Sequence, residues 1–519
     1  MYKFLPLLLF VSINRALAQS PIDIVHYKFE LSLTNTSDSI KGKATIDFKW
    51  LASAANMSLD LVQMHDNTGM TVSSVTGDNV TSFSQSGDKI IINVKKAIPG
   101  KIASVTIFYS GIPSDGLIIS KNKYGDRTFF ADNWPNRAHY WIPCKDSPAD
   151  KATFEFIVTA PFGYQVISNG VLKEKALSSD GMQYTHWQEN VSLSTKVMVI
   201  GVAKFAVKTF SDSPENIPVS AWVYPQDSTN GFYDYGVTPS IVKFFSSYIA
   251  PFPYEKLANV QSKTIFGGME NASAIFYAEQ SVTGNRKWED VFAHEIVHQW
   301  FGDMASEKAF SHLWLSEGFA TYLTDIYMGN KFGKDSGVNR LKKEREDIIE
   351  FVKKNNHPVV DSTSNLMNLL NVNSYQKGGW VLHMIHAEVG DKLFQNIIQE
   401  YYNQYKGSNA DTRDFEHVVE KVTGKDWKAF FDQWLYRPGI PELQVAYQFK
   451  KASIEIKIQQ KTKEPYTYLP LECSIKLQDG SSVNKTLFIH QQTQSFTIPL
   501  SSNPKSFTLD PHTTLLFRQ

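Results

Sequence analysis

The stretch Trp288-Glu289-Asp290-Val291-Phe292-Ala293-His294-Glu295-Ile296-Val297-His298-Gln299-Trp300-Phe301 decides how the rest of the chain is read. Its apolar residues fall nearly all round a 3.6-residue period, which predicts a buried helix over Trp288 to Met304. Charged and titratable side chains on a buried helix need partners. His294 and His298 are four residues apart, so both imidazoles lie on one face, one turn above the other. A metal ion is the simplest partner for such a pair. Glu295 lies about 100° round from His294, so it can flank the same ion without ligating it. With 13 His in 519 residues, chance supplies only about 0.02 matches to the spacing His-Glu-x-x-His.

Eighteen residues separate His298 from Glu317. Glu317 opens Glu317-Gly318-Phe319-Ala320-Thr321-Tyr322, which reads as a second helix. Packed antiparallel, that helix would bring its carboxylate beside the two histidines. Two neutral imidazoles, one carboxylate and an open fourth position form a catalytic Zn2+ set; a structural site would have four protein ligands, usually including cysteine. Such an ion acidifies a bound water and polarises a carbonyl. Glu295 is left as the general base.

Outward from this centre the hydrophobic period changes twice. Upstream, from Ile22 to Val207, segments such as His26-Tyr27-Lys28-Phe29-Glu30-Leu31 alternate apolar and polar, and Gly and Asp turns separate them. A mainly antiparallel β domain is expected over 19–207. Helical periodicity marks Val237–Ile249, Asn339–Lys354 and much of Tyr375–Trp434. Alternation returns after Pro438-Gly439, which predicts a small β-sandwich over 438–519. The fold class is therefore multidomain α+β, with the catalytic region at 208–437. A length of 519 residues suits about three domains.

Lys+Arg and Asp+Glu are equal at 52 each, so there is no broad basic field to hold nucleic acid or an anionic membrane. Met1-Tyr2-Lys3, the apolar run Phe4–Ile13 and Ala16-Leu17-Ala18 form the three parts of a signal peptide, 1–18, cleaved after Ala18. Export to the periplasm or the medium is expected. The apolar run is too short for a membrane helix, which needs about 20 residues, and no later stretch would anchor the mature chain. Cys144 and Cys473 lie far apart and read as small buried apolar residues. Asn35, Asn56, Asn190 and Asn271 head Asn-x-Ser/Thr sequons. The last sits inside the expected site, where a glycan would block the cleft, so the sequons carry no functional weight.

Three further segments give the chain a family resemblance. Gly267-Gly268-Met269-Glu270-Asn271 precedes the metal helix, Ser374-Tyr375-Gln376-Lys377-Gly378-Gly379 follows it, and Trp141-Ile142-Pro143-Cys144-Lys145-Asp146-Ser147-Pro148 lies in the β region. With the His-Glu-x-x-His helix, these four landmarks resemble those of the gluzincin aminopeptidases, peptidase family M1, in order and over essentially the whole mature chain. The resemblance implies a thermolysin-like, mainly helical catalytic domain and one Zn2+ per chain. It also implies peptide substrates with a free N-terminus. Glu270 would meet the α-ammonium through a charged hydrogen bond, which fixes the first peptide bond over the metal. Gly267 and Gly268 would let the backbone run close beside the peptide, and Met269 would line the pocket for the first side chain. Tyr375 would donate a hydrogen bond to the developing oxyanion.

The chain also departs from the pattern. Where many members have a glutamate seven residues after the third ligand, it has Thr324, with Asp325 next to it. Asp132 and Asn133 are the candidates for a second group on the amine, and a loop lining the cleft wall is an equal reading. The large helical C-terminal domain of many members is expected to be missing, which would leave the cleft more open. Two other functions share parts of this pattern. The Gly-Gly form is shared with leukotriene hydrolase, but epoxide hydrolysis there is tied to a lipid tunnel closed by the helical domain. A catalytically inactive scaffold is the other, yet inactive relatives lose ligands or the base, and here all six chemical residues are present.

Overall fold

The structure is a computed structural model and describes residues 20–179, 181–214 and 217–519. The signal-peptide segment 1–18 lies outside the described residues. The β region is built on a seven-stranded sheet whose centre pairs Ile22–Ser32 antiparallel with Ile40–Trp50 and parallel with Lys151–Pro161. Ile22–Ser32 and Ile40–Trp50 bury alternate residues, as their sequence pattern requires of a sheet with one face on the core. A four-stranded sheet and a three-stranded sheet complete the region.

The middle of the chain holds α1 (Ser228–Tyr235), α2 (Thr238–Tyr248), α3 (Glu289–Val297), α4 (Trp314–Phe332), α5 (Lys334–Val352), α6 (Gly378–Val389), α7 (Asp391–Tyr405), α8 (Thr412–Thr423) and α9 (Lys428–Leu435). It also holds a five-stranded sheet that the helical reading of this region did not anticipate. Its strands Leu257–Ser262 and Ala274–Ala278 are buried along their whole length. Strands covered on both faces do not alternate, so they cannot be told from a buried helix by period. Gly268–Met269 forms one edge of this sheet, paired antiparallel with Ala274–Ala278. Ala206–Thr209 forms the other, so the expected border at 207/208 falls inside a strand.

α3 is shorter than the expected Trp288–Met304. It stops at Val297, after which Gln299 N and Trp300 N bond back only three residues; at Gly302, with φ +120, the chain folds back, and Ala305 N donates to Trp300 O. Phe301 then packs on Phe319 of α4, which also meets Tyr401 of α7 and Phe415 of α8, with centroids 4.8, 5.3 and 5.1 Å apart. Each such ring pair adds about 0.5–1.5 kcal/mol beyond its buried area, which anchors the segment that follows α3. After α9 come two three-stranded sheets, Leu443–Lys450 with Ser453–Gln460 and Thr493–Pro499, and Ser482–Ile489 with Leu469–Leu477 and Pro504–Leu509. Cys144 and Cys473 are buried and unpaired. No helix among the described residues is long and apolar enough to cross a membrane.

Candidate active site

α3 and α4 bring His294, His298 and Glu317 to one point. The two Nε2 atoms are 3.1 Å apart, and each lies 3.3 Å from Glu317 Oε2. His298 is 1% exposed and its Nδ1 lies 3.0 Å from the Phe301 carbonyl oxygen. That carbonyl can only accept, so the ring proton belongs on Nδ1 and the Nε2 lone pair faces the centre. Ser316 Oγ, 3.1 Å from the same Nδ1, helps to fix the ring. This is the supporting shell that the sequence left open. Thr324 and Asp325 do not supply it. Asp325 Oδ1 is 2.5 Å from Arg340 Nε, and Thr324 lines the cavity with no hydrogen-bond partner for its hydroxyl.

The electrostatics of this centre call for a cation. Burial disfavours protonation of His298, yet Glu317, Glu270 and Glu295 around it outweigh burial and push its pKa up to about 10. Burial holds the Glu295 carboxyl well above the usual range, and its neighbours Glu270 and Glu317 add to that rise. Burial likewise raises Glu270. Three electron-rich ligand atoms within 4.8 Å of one another, ringed by further carboxylates, fit a divalent metal, and two imidazoles with one carboxylate fit zinc.

The centre forms the floor of a cavity of about 440 Å³. Gly267, Gly268, Met269 and Glu270 line one wall, and Glu295, Tyr375 and Gln376 line it beside the ligands. Gly268 backs directly onto Glu295, where a Cβ would lie 2.3 Å from Oε1. Tyr375 sits on a single wide π-helical turn, Asn373–Lys377, ahead of α6, a distortion frequent at functional sites. Its ring stacks on His294 with centroids 5.9 Å apart and planes 13° apart. The approach depends on two glycines: a Cβ on Gly318, next to Glu317, would lie 2.8 Å from the Gly378 carbonyl carbon. Burial keeps the Tyr375 hydroxyl protonated, with its pKa held well above the usual value.

Other expected residues fall elsewhere. Asn271 is fully buried, outside the cavity lining, and neither of its side-chain amide atoms has a partner. Asp132 and Asn133 are also fully buried. Asp132 accepts from Arg137 (2.7 Å), Thr264 Oγ1 and Ile265 N (both 3.1 Å), so it anchors the loop leading to Gly267. Asn133 is spent on Thr195 O, Met198 O and Trp141 Nε1. Neither reaches the cavity, whereas the next residue, Trp134, does. The wall-lining alternative therefore describes this loop. The sequence reading passed over Asp290, Arg340 and Glu344, which line the end of the cavity beyond His294. Asp290 had a signal, since it precedes His294 by four residues and shares its helix face.

Residues 24–197 match the profile described as Peptidase M1 N-terminal domain, and residues 233–434 match that of the Peptidase family M1 domain. Probable aminopeptidase 2 of Sulfurisphaera tokodaii is 28% identical over 400 residues, covering 70% of this chain and 51% of that protein. Glutamyl aminopeptidase of Sus scrofa is 27% identical over 394 residues, covering 72% and 42%. The chain thus spans about half the length of these curated relatives. A crystal structure of Legionella pneumophila aminopeptidase A in complex with aspartic acid shares the fold, with a TM-score of 0.84 at 17% identity, over 96% of this chain and 59% of that one. Matched along most of its length by the two domain profiles of one family, the second of which contains the His294, His298 and Glu317 cluster of α3 and α4, this chain belongs to peptidase family M1.

Proposed function

We propose that the protein is a zinc-dependent aminopeptidase that hydrolyses the N-terminal bond of peptides, on a thermolysin-like middle domain. One observation carries this: Glu270, Glu295 and Tyr375 line a single cavity together with His294, His298 and Glu317. His294 Nε2, His298 Nε2 and a Glu317 oxygen would hold the ion. When bound, zinc supplies a Lewis acid that polarises the scissile carbonyl and activates water.

The chain's own residues divide the remaining work. Glu270 pairs with the free α-ammonium, so a peptide can seat only its first bond at the centre. Glu295 takes the proton of the attacking water and passes it to the leaving amine. Its high affinity for a proton among other carboxylates suits that transfer. Tyr375, kept protonated by burial, donates to the oxyanion. Burial of Glu270 and Glu295, at 5% and 6% exposure, strengthens these charged contacts. The Met1–Ala18 segment supports export, which the N-terminal sequence of the mature protein tests.

Purified protein should release arylamine from unblocked aminoacyl-arylamides and leave N-acetylated ones intact. Chelation should abolish turnover and zinc restore it. Equal cleavage of blocked and unblocked substrates would remove the role of Glu270, and zinc-independent turnover would remove that of the ligand set.

A further inference from the structure

Glu270 stands where the edge strand Gly268–Met269 ends and the chain turns back into Ala274–Ala278. Met269 is the last residue of that strand to pair, so no ladder hydrogen bond fixes residue 270. The turn is bracketed instead by one side chain. Gln299, fully buried and next to the ligand His298, donates from Nε2 to Glu270 O at 2.7 Å and accepts at Oε1 from Ser273 N at 2.7 Å. Its Nε2 also donates to Asp303 Oδ2 at 3.1 Å, which fixes which end of the amide faces which partner.

Ser273 needs such a clamp because it adopts φ +60, a conformation that non-glycine residues seldom take. The β region holds the turn from the other side. Asn169 Nδ2 donates to Ala272 O at 2.5 Å, and Gly170 N donates to Ser273 Oγ at 2.8 Å. Those bonds fasten residues 272 and 273 to the β region. Of these bonds, the one from Gln299 Nε2 ties residue 270 itself to the segment that follows α3.

We propose that Gln299 is a positioning residue that sets the Glu270 carboxylate at its working distance from the metal ligands. The proposal rests on the aminopeptidase reading. Because residues 298 and 299 are adjacent, the ligand and the amine-binding segment are tied to one point of the backbone. A misplacement of about 1 Å at such a group can cost about 10²-fold in rate.

The test compares wild type with Q299L, using the free and N-acetylated forms of the aminoacyl-arylamide that wild type cleaves fastest. Zinc content is measured by atomic spectrometry. Q299L should keep its zinc, raise KM for the free substrate about tenfold or more, and lose about tenfold or more of the preference for the free amine. A Q299L protein with wild-type KM and preference overturns the proposal, even if kcat falls, because a merely structural role lowers only the active fraction. Wild type that shows no preference overturns the aminopeptidase reading instead. Should Q299L fail to fold, Q299N, whose amide is one methylene shorter and cannot bridge both sites, is judged by the same two readouts.

Discussion

The two sides of α3 handle buried charge in opposite ways. On the cavity side, Glu270, Glu295 and Glu317 crowd two imidazoles, and no lysine or arginine of the chain pairs with these three carboxylates among the ion pairs of the described residues. Behind the helix, carboxylates and lysines from different regions meet. Lys196 of the β region bonds Glu307 at 2.6 Å, with both side chains essentially inaccessible. Lys151, also from the β region, has only carbonyls: its Nζ donates to Asp303 O and Met304 O at 3.0 and 2.9 Å. The chain thus pairs Lys196 with Glu307 where two regions meet and leaves an excess of negative charge around the two imidazoles. The two lysines add a finer point. Burial lowers both, but Glu307, with Glu270 and Asp303, more than restores Lys196, whereas Lys151 is left at about 7.

If this contrast is right, changes on the cavity side move turnover and changes behind it move stability. The largest effect expected is from E295Q, which should cut kcat by about 10⁴-fold while zinc stays bound. Its melting temperature should hold or rise, since one uncompensated charge is gone. A marked loss of stability in E295Q would break the contrast. K196M strands Glu307 in the interior and should cost about 3–5 kcal/mol in denaturant unfolding. Replacing both partners by apolar residues should recover most of that. Y375F should lower kcat by about 10²–10³-fold with zinc content unchanged, as for loss of one oxyanion donor. An effect confined to KM would point to substrate packing instead.

The smallest effect concerns pH. The folded pKa of Lys151, about 7, is below its usual value of 10.5. Between those values the unfolded chain binds more protons than the folded one, so stability rises with pH across the window. Below about 7 both states are protonated, and the penalty for burying the charge is fully present. Denaturant midpoints at pH 7 and 9.5 should show wild type gaining on K151M. A constant difference between the two proteins would mean that Lys151 is charged at both pH values.

The metal set was legible because its information is local. Two histidines four apart and a glutamate on a following helix need only helical geometry to converge. The placement of Glu270 and Tyr375 beside that cluster was legible from motif order. What escaped notice depends on where the chain turns. α3 ends at Val297, so Gln299 leaves the helix and brackets the turn at residues 270–273, with Asp303 holding its amide. The strands Leu257–Ser262 and Ala274–Ala278 were hidden by uniform burial. Asp132 and Asn133 resembled ligand-binding polar residues, but their partners come from residues 137, 141, 195, 198, 264 and 265, which no local pattern places around them. Thr324 misled in the opposite sense, because the ring support comes from the Phe301 carbonyl and Ser316, on either side of the turn that ends α3.

Asn271 heads a sequon yet is sealed within the fold, its amide out of reach of any enzyme once the chain has closed. A sugar attached there and the native packing exclude each other. In a host whose secretory machinery modifies nascent chains, folding of this segment and glycosylation would compete, and each chain captured by the transferase would be lost to quality control. In a host without that machinery every chain is free to mature. For this position, the choice of expression host would act on yield through timing rather than through stability.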